Sequence, residues 1–209
     1  MRRFAIVVMA GIMALALAAP VSAGANVSNS SGSALTAQGS WYTEGTDGYT
    51  FGYVAAWSQQ GSSSPFLELY TETGNWVDCT PGDPTDEFYG FVGSYQYGYG
   101  DATLAIGKNY GSASATATVD VYGADVDQCA DTWTDTSKSG VQVSLALTAT
   151  GPKVMERGTW SFQIPSQFNG HSSYSSTYRM ASGTATIDGA PMSVDGGIGK
   201  VTWRDHYNG

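Results

Sequence analysis

Ser112-Ala113-Ser114-Ala115-Thr116-Ala117-Thr118-Val119-Asp120-Val121-Tyr122 reads as a strand with two unlike faces. Ala113, Ala115, Ala117, Val119 and Val121 fall on one side, and Ser112, Ser114, Thr116, Thr118 and Asp120 on the other. Successive side chains of a β-strand point to opposite faces, so this alternation predicts one buried and one wet side. Val141, Val143, Leu145, Leu147 and Ala149 repeat the pattern against Gln142, Ser144, Thr148 and Thr150. Tyr49, Phe51, Tyr53, Ala55 and Trp57 do so with bulkier side chains.

The same reading places further strands at 35–43, 66–72, 76–79, 87–95, 101–107, 157–163, 173–188 and 199–203. Turn chemistry separates them at Gly45-Thr46-Asp47-Gly48, 61–65, Thr73-Gly74-Asn75, Lys108-Asn109-Tyr110-Gly111 and Gly151-Pro152-Lys153. Gly and Asn there offer a positive φ, and Pro presets its own. No window of eleven or more residues carries a helical period. The chain is therefore expected to be all-β, with about ten antiparallel strands in a β-sandwich or a closed β-barrel and no substantial helix in the mature protein. Either architecture hides strand edges. The polar segment 125–139 reads as a long surface loop, and Trp160 and Trp203 as core.

The N-terminus carries a different signal. Arg2-Arg3, an apolar run from Phe4 to Ala19, and Val21-Ser22-Ala23 have the layout of a secretory signal peptide. Cleavage after Ala23 is expected, followed by a flexible arm over 24–33 and a single β domain over 34–209. Removing residues 1–23 leaves 7 Lys+Arg against 18 Asp+Glu. So acidic a chain lacks the basic footprint that nucleic acid or an anionic membrane surface demands. Charged residues are 13% of the whole, about half the usual quarter, and 24 Ser with 21 Thr supply the polarity instead. The two cysteines, Cys79 and Cys129, are far apart in sequence and outside any Cys-x-x-Cys arrangement. In an oxidising compartment they read as one structural disulfide.

Asp101-Ala102-Thr103-Leu104-Ala105-Ile106 is followed by the Ala/Thr/Val strand, a Cys-bearing segment, a Val-x-Val-x-Leu strand and Thr150-Gly151-Pro152. Over residues 101–188 this succession resembles a loose group of small, secreted, all-β bacterial proteins. The resemblance implies export and fold class, and it brings no catalytic residue with it.

The residues bear on four chemistries. Nucleophilic hydrolysis has no Gly-x-Ser-x-Gly elbow to stand on, and the only histidines are His171 and His206. Glycoside hydrolysis requires two carboxyl groups about 5–5.5 Å apart for retention or about 6.5–9.5 Å for inversion. Glu68 and Glu72 share a strand face about 13 Å apart at 3.3 Å per residue, so Glu68 with Glu156 is the pair to consider. Sugar binding without catalysis asks for exposed rings that stack on apolar C–H faces, with polar groups beside them. Tyr95-Gln96-Tyr97-Gly98-Tyr99 sets three such rings on one face, with Trp41, Tyr42, Trp57 and Trp76 as further candidates. Asp125, Asp127 and Asp131 alternate as the start of an EF-hand loop does. However, Ala130 stands where that loop needs Gly, and Thr136 where it needs Glu. A looser Ca2+ site would have to recruit Asp78, Asp83, Asp86 and Glu87.

An outer-membrane barrel presents an apolar band to lipid, which the Ser/Thr faces of 112–122 and 141–150 do not supply. The expectation is a secreted, non-catalytic protein with no membrane span once the leader is gone. It would bind a glycan or a cell-envelope component through Tyr95, Tyr97 and Tyr99, or form a structural part of the cell exterior. A glycoside hydrolase using a Glu pair is the alternative.

Overall fold

A computed structural model describes residues 28–46, 48–82, 88–164 and 168–208. Eight strands run in chain order: β1 (Ser28–Gly45), β2 (Gly48–Gln59), β3 (Phe66–Asp78), β4 (Tyr89–Ile106), β5 (Ser112–Asp127), β6 (Thr132–Ile164), β7 (Phe168–Ile187) and β8 (Ala190–Asn208). Each pairs antiparallel with the next, and β1 also pairs with β8 from Ser28↔Tyr207 to Ser40↔Asp195. The fold is all-β and antiparallel as the alternation predicts. Of the two expected architectures it is the closed barrel.

Eight strands stand where about ten were expected, because several expected turns lie within strands. Thr73-Gly74-Asn75 continues β3 in register with Ser94, Gly93 and Val92. Gly151-Pro152-Lys153 falls at an irregularity of β6, where the pairing shifts between Ala149 and Lys153. Proline cannot donate to a ladder and is tolerated at such a bulge. The segment 125–139 is not a long loop either. It completes β5 and begins β6 around a tight turn, with Asp131 at φ 52°. Of the expected flexible arm, 28–33 pairs with β8, and 24–27 lies outside the described residues.

The barrel interior is apolar. Ala37, Val54, Leu67, Val119, Leu145, Ala185 and Ile198, one or more from nearly every strand, form one buried cluster. An eight-stranded barrel is just wide enough for side chains to fill it, which explains why Ala, Val and Gly dominate the inward positions. Trp41 is the large exception. It is buried, and inward-facing Gly52 makes room: a Cβ there would lie 2.2 Å from Cζ2 of the Trp41 ring. The sequence offered Trp41 as an exposed ring. Trp160 and Trp203 err in the other direction: Trp160 is 54% exposed, and Trp203 lies half-buried over Gly32.

The outer wall is polar along the middle of β5 and β6. Ser112, Ser114, Thr116, Thr118 and Asp120 face outward there, and Gln142 donates from Nε2 to Thr118 Oγ1 at 2.8 Å. At one end the Cys79–Cys129 disulfide ties the end of β3 to the β5–β6 turn, with Cα atoms 5.1 Å apart. At the other end β6, β7, β8 and β1 outrun their neighbours. They form a four-stranded wall that stands beyond the β2–β3 and β4–β5 turns.

Candidate functional site

The side chains that alternate with the core on β2, β3 and β4 point away from the barrel, and they are aromatic. On β2 the inward residues are Gly52, Val54 and Ala56, whereas Tyr49, Phe51, Tyr53 and Trp57 face out. On β3 Leu67 and Leu69 are inside, and Phe66, Glu68, Tyr70 and Glu72 outside. Register then fixes which rings meet: Glu68↔Tyr99, Tyr70↔Tyr97 and Glu72↔Tyr95 across β3–β4, and Tyr97↔Tyr122 across β4–β5. Facing residues of an antiparallel pair stand about 4.5–5.5 Å apart at Cβ, so these pairs make a continuous surface.

Ring contacts group these side chains. Trp57 and Phe66 lie 4.9 Å apart at their centroids, Phe66 stacks on Tyr99 at 5.8 Å, and Tyr53 stacks on Tyr70 at 5.7 Å. Tyr97 and Tyr122 meet at 6.3 Å. Of the three tyrosines singled out by the sequence, Tyr97 and Tyr99 are 44% and 58% exposed. Tyr95 is half-buried, edge-on to Trp133 and packed on a second small cluster of Phe91, Ala124 and Val126. It supports the surface more than it presents a face to solvent. Tyr122, 48% exposed, joins the surface although the sequence reading did not select it. Its only sequence signal is that it shares parity with the polar face of β5. Trp76 is also exposed, and it leans on Phe91 at 5.9 Å at the disulfide end.

The glutamates of this face are built into it. The Tyr53 hydroxyl donates to Glu68 Oε1, and the hydroxyls of Tyr49 and Tyr70 donate to the two oxygens of Glu72. Burial and then the bond to Glu72 push the Tyr49 phenol up to about 12. Burial foremost, followed by the neighbouring carboxylates, holds Tyr53 and Tyr70 above the ordinary phenol range. These phenols therefore stay protonated donors at neutral pH and lock the rings in place.

The structure does not bring Glu68 and Glu156 together. They lie on β3 and β6, which β4 and β5 separate around the ring, and Glu156 accepts a bond of 2.8 Å from the Tyr178 hydroxyl. Asp125, Asp127 and Asp131 sit around the β5–β6 turn, where Asp127 Oδ1 accepts from the Ala130 amide at 3.0 Å. Among the described residues no three His, Cys, Asp or Glu side chains are grouped closely enough to hold a metal ion. Asp83, Asp86 and Glu87 lie outside the described residues.

His171 and His206, far apart in sequence, face each other across β7–β8. Their Nδ1 atoms are engaged by Ser161 Oγ at 2.8 Å and Asn29 Oδ1 at 2.6 Å. Comparison with known proteins finds no matching family model, no matching curated protein and no matching solved structure.

Proposed function

We propose that this is an exported, non-catalytic protein that binds a carbohydrate chain on the outer aromatic face of β2–β5. The observation that carries the reading is the aromatic outer face: Trp57, Phe66 and Tyr99 are in ring contact, Tyr97 meets Tyr122, and the neighbouring Tyr53 and Tyr70 are held by phenol–carboxylate bonds. Pyranose C–H faces stack on such rings, and a fixed platform loses little side-chain entropy when it is covered. The hydroxyls of Tyr97 and Tyr99, both exposed residues, can meet sugar hydroxyls at the same surface. Export is supported by the leader and by the Cys79–Cys129 bridge, because a reducing cytosol keeps thiols apart. An aqueous setting is supported by the Ser/Thr outer wall of β5 and β6 over an apolar interior, the inverse of a lipid-facing barrel.

The test is a panel of soluble and insoluble neutral polysaccharides offered to the chain without residues 1–23. Co-sedimentation and a change in aromatic emission are expected with at least one. Removing the ring of Tyr97 or Tyr99 by Tyr→Ala should weaken binding about tenfold or more, since covering such a side chain is worth roughly 1.5–3 kcal/mol. Release of reducing sugar that disappears in Glu68→Gln would instead establish the hydrolase.

A further inference from the structure

The four-stranded wall beyond the barrel mouth has an inner face unlike any other part of the molecule. Ala181, Ala185, Val194 and Ile198 point into the core, and no register shift interrupts β7–β8. Every second residue therefore continues the inward face: His171, Ser173, Ser175, Thr177 and Arg179 on β7, and Lys200, Thr202, Arg204 and His206 on β8. Directly opposed residues share a face. Ser175 thus places Arg157 of β6 inside, Arg204 and Thr202 do the same for Ser31 and Ser33 of β1, and Arg179 for Lys153.

This single face holds Lys153, Arg157, Arg179, Lys200 and Arg204, five of the seven Lys and Arg that follow residue 23, together with both histidines. Among the described residues it holds no carboxylate. Glu156, Asp195 and Asp205 of the same strands have the opposite parity and lie outside, where Asp205 accepts from Ser30 and Ser172. Between its cations the face carries mostly Ser and Thr hydroxyls, with Met155 beside Arg157, and it lines a cavity of about 910 Å3. Arg157, Lys200 and Arg204 border that cavity. Among the described residues the ion pair of the molecule is Lys138 with Asp188, elsewhere on the barrel. Lys153 and Arg179 sit at the base, one over the Tyr110 ring and the other donating from Nε to the Gly151 carbonyl oxygen at 2.9 Å.

Chance would scatter seven cations among eighteen acids; here five of the seven are gathered inside one cup. A concave site of one sign focuses its field and concentrates counter-ions, even on a protein of opposite net charge. Guanidinium groups match carboxylate and sulfate oxygens in fork geometry, and Ser and Thr hydroxyls match polyhydroxylated chains. Among the described residues of the wall no Trp, Tyr or Phe has this inward parity; Tyr174 and Trp203 border the cavity from outward-facing positions, and Tyr110 lies at its base. We propose that the cup is a second binding site, for an acidic oligosaccharide whose carboxylate or sulfate groups engage Arg157, Arg204 and Lys200. The site is on the opposite side of the sheet from any ring of the tyrosine platform, and it does not depend on that platform's function.

The test is calorimetric titration of the chain without residues 1–23. The probes are an oligogalacturonate, a sulfated oligosaccharide, a neutral oligosaccharide of equal length, inorganic sulfate and a single-stranded oligonucleotide. At least one acidic oligosaccharide should bind, more weakly as salt is raised, and the carboxylate and sulfate probes distinguish the two sources of negative charge. The double variant Arg157→Gln/Arg204→Gln should weaken that binding about tenfold or more, because each lost charge-assisted contact counts heavily. Lys138→Gln, equal in charge loss per site but remote from the cup, and Tyr99→Ala should leave it unchanged. The proposal fails if neither acidic oligosaccharide binds, if inorganic sulfate or the oligonucleotide binds as tightly, or if a folded double variant binds like the parent. Circular dichroism and an intact disulfide establish folding of the variant. A second pair, Lys200→Gln with Thr202→Val, serves where the arginine variant does not fold.

Discussion

Gly52 and Trp41 show how one residue licenses another. The Trp41 ring fills barrel space that a Cβ on Gly52 would enter at 2.2 Å, against a ring that cannot bend away. Gly52→Ala is therefore expected to lower stability by about 1–3 kcal/mol, the usual cost of overpacking. It should be seen as a lower urea midpoint at unchanged slope, with binding at the outer face retained. Gly90 plays the same part under the disulfide, where an added Cβ would lie 2.7 Å from Cys79 Sγ.

The phenols of the outer face make a pH prediction at this scale too. The Tyr49 phenol sits near 12 when folded, above the free value of 10.0, so the folded chain holds a proton that the unfolded chain releases first. Its contribution is complete below pH 10 and is lost as pH climbs toward 12, and Tyr53 and Tyr70 act in the same sense. Titration of tyrosinate absorbance should show a late group of tyrosines, and Glu72→Gln should bring Tyr49 and Tyr70 back toward the ordinary range. Spacing in the sequence put Tyr95, Tyr97 and Tyr99 on one face. It did not tell which ring would be covered, because Trp133 reaches Tyr95 only through the β4–β5–β6 pairing.

Among the elements, β5 was legible over Ser112–Tyr122, where its apolar set is small and its polar set unmistakable, but its end at 125–127 is polar and reads as loop. In β2 both faces are apolar, and alternation says that Tyr49, Phe51, Tyr53 and Trp57 travel together without saying on which side. The narrow barrel decides it: the small face of Gly52, Val54 and Ala56 fits inside, and the large rings are left outside. Turn chemistry misled where a Gly or a Pro marks a bulge or a close approach within a strand, as at Gly74 and Pro152.

The disulfide is also an element-scale device, joining two strand ends across β4. Its 50-residue separation gives roughly 4 kcal/mol in the chain-entropy description, an upper figure for real bridges. Cys79→Ser/Cys129→Ser should lower the unfolding midpoint accordingly while leaving the far end of the barrel intact. Leu145→Ala, at a fully buried inward position of β6, is expected to cost about 2–5 kcal/mol by denaturant titration.

The whole molecule divides into a closed ring and a standing wall. Within the ring, ladders on both sides of every strand and an apolar filling protect the backbone. Beyond Ala149 on β6 and along 28–32 of β1, the wall has a neighbour on one side only among the described residues, and its inner face is polar. Local stability follows buried apolar contacts, so amide exchange should be slowest around Val119, Leu145, Ala185 and Ile198. It should be faster by orders of magnitude for 154–164 and 169–177, as hydrogen-exchange mass spectrometry would resolve. Equal protection of the two regions would show that the wall is held by something other than its own ladders.

The sequence by itself determined the all-β class, the antiparallel pairing, the cysteine partners and the shared face of the tyrosines, because each rests on local periodicity or on elimination among few residues. Closure of the ring, the outward turn of the β2 rings and the gathering of five cations in one cup were decided only by tertiary structure. They depend on register between strands far apart in the chain, and a period of two records that a residue has a face without recording what lies opposite it.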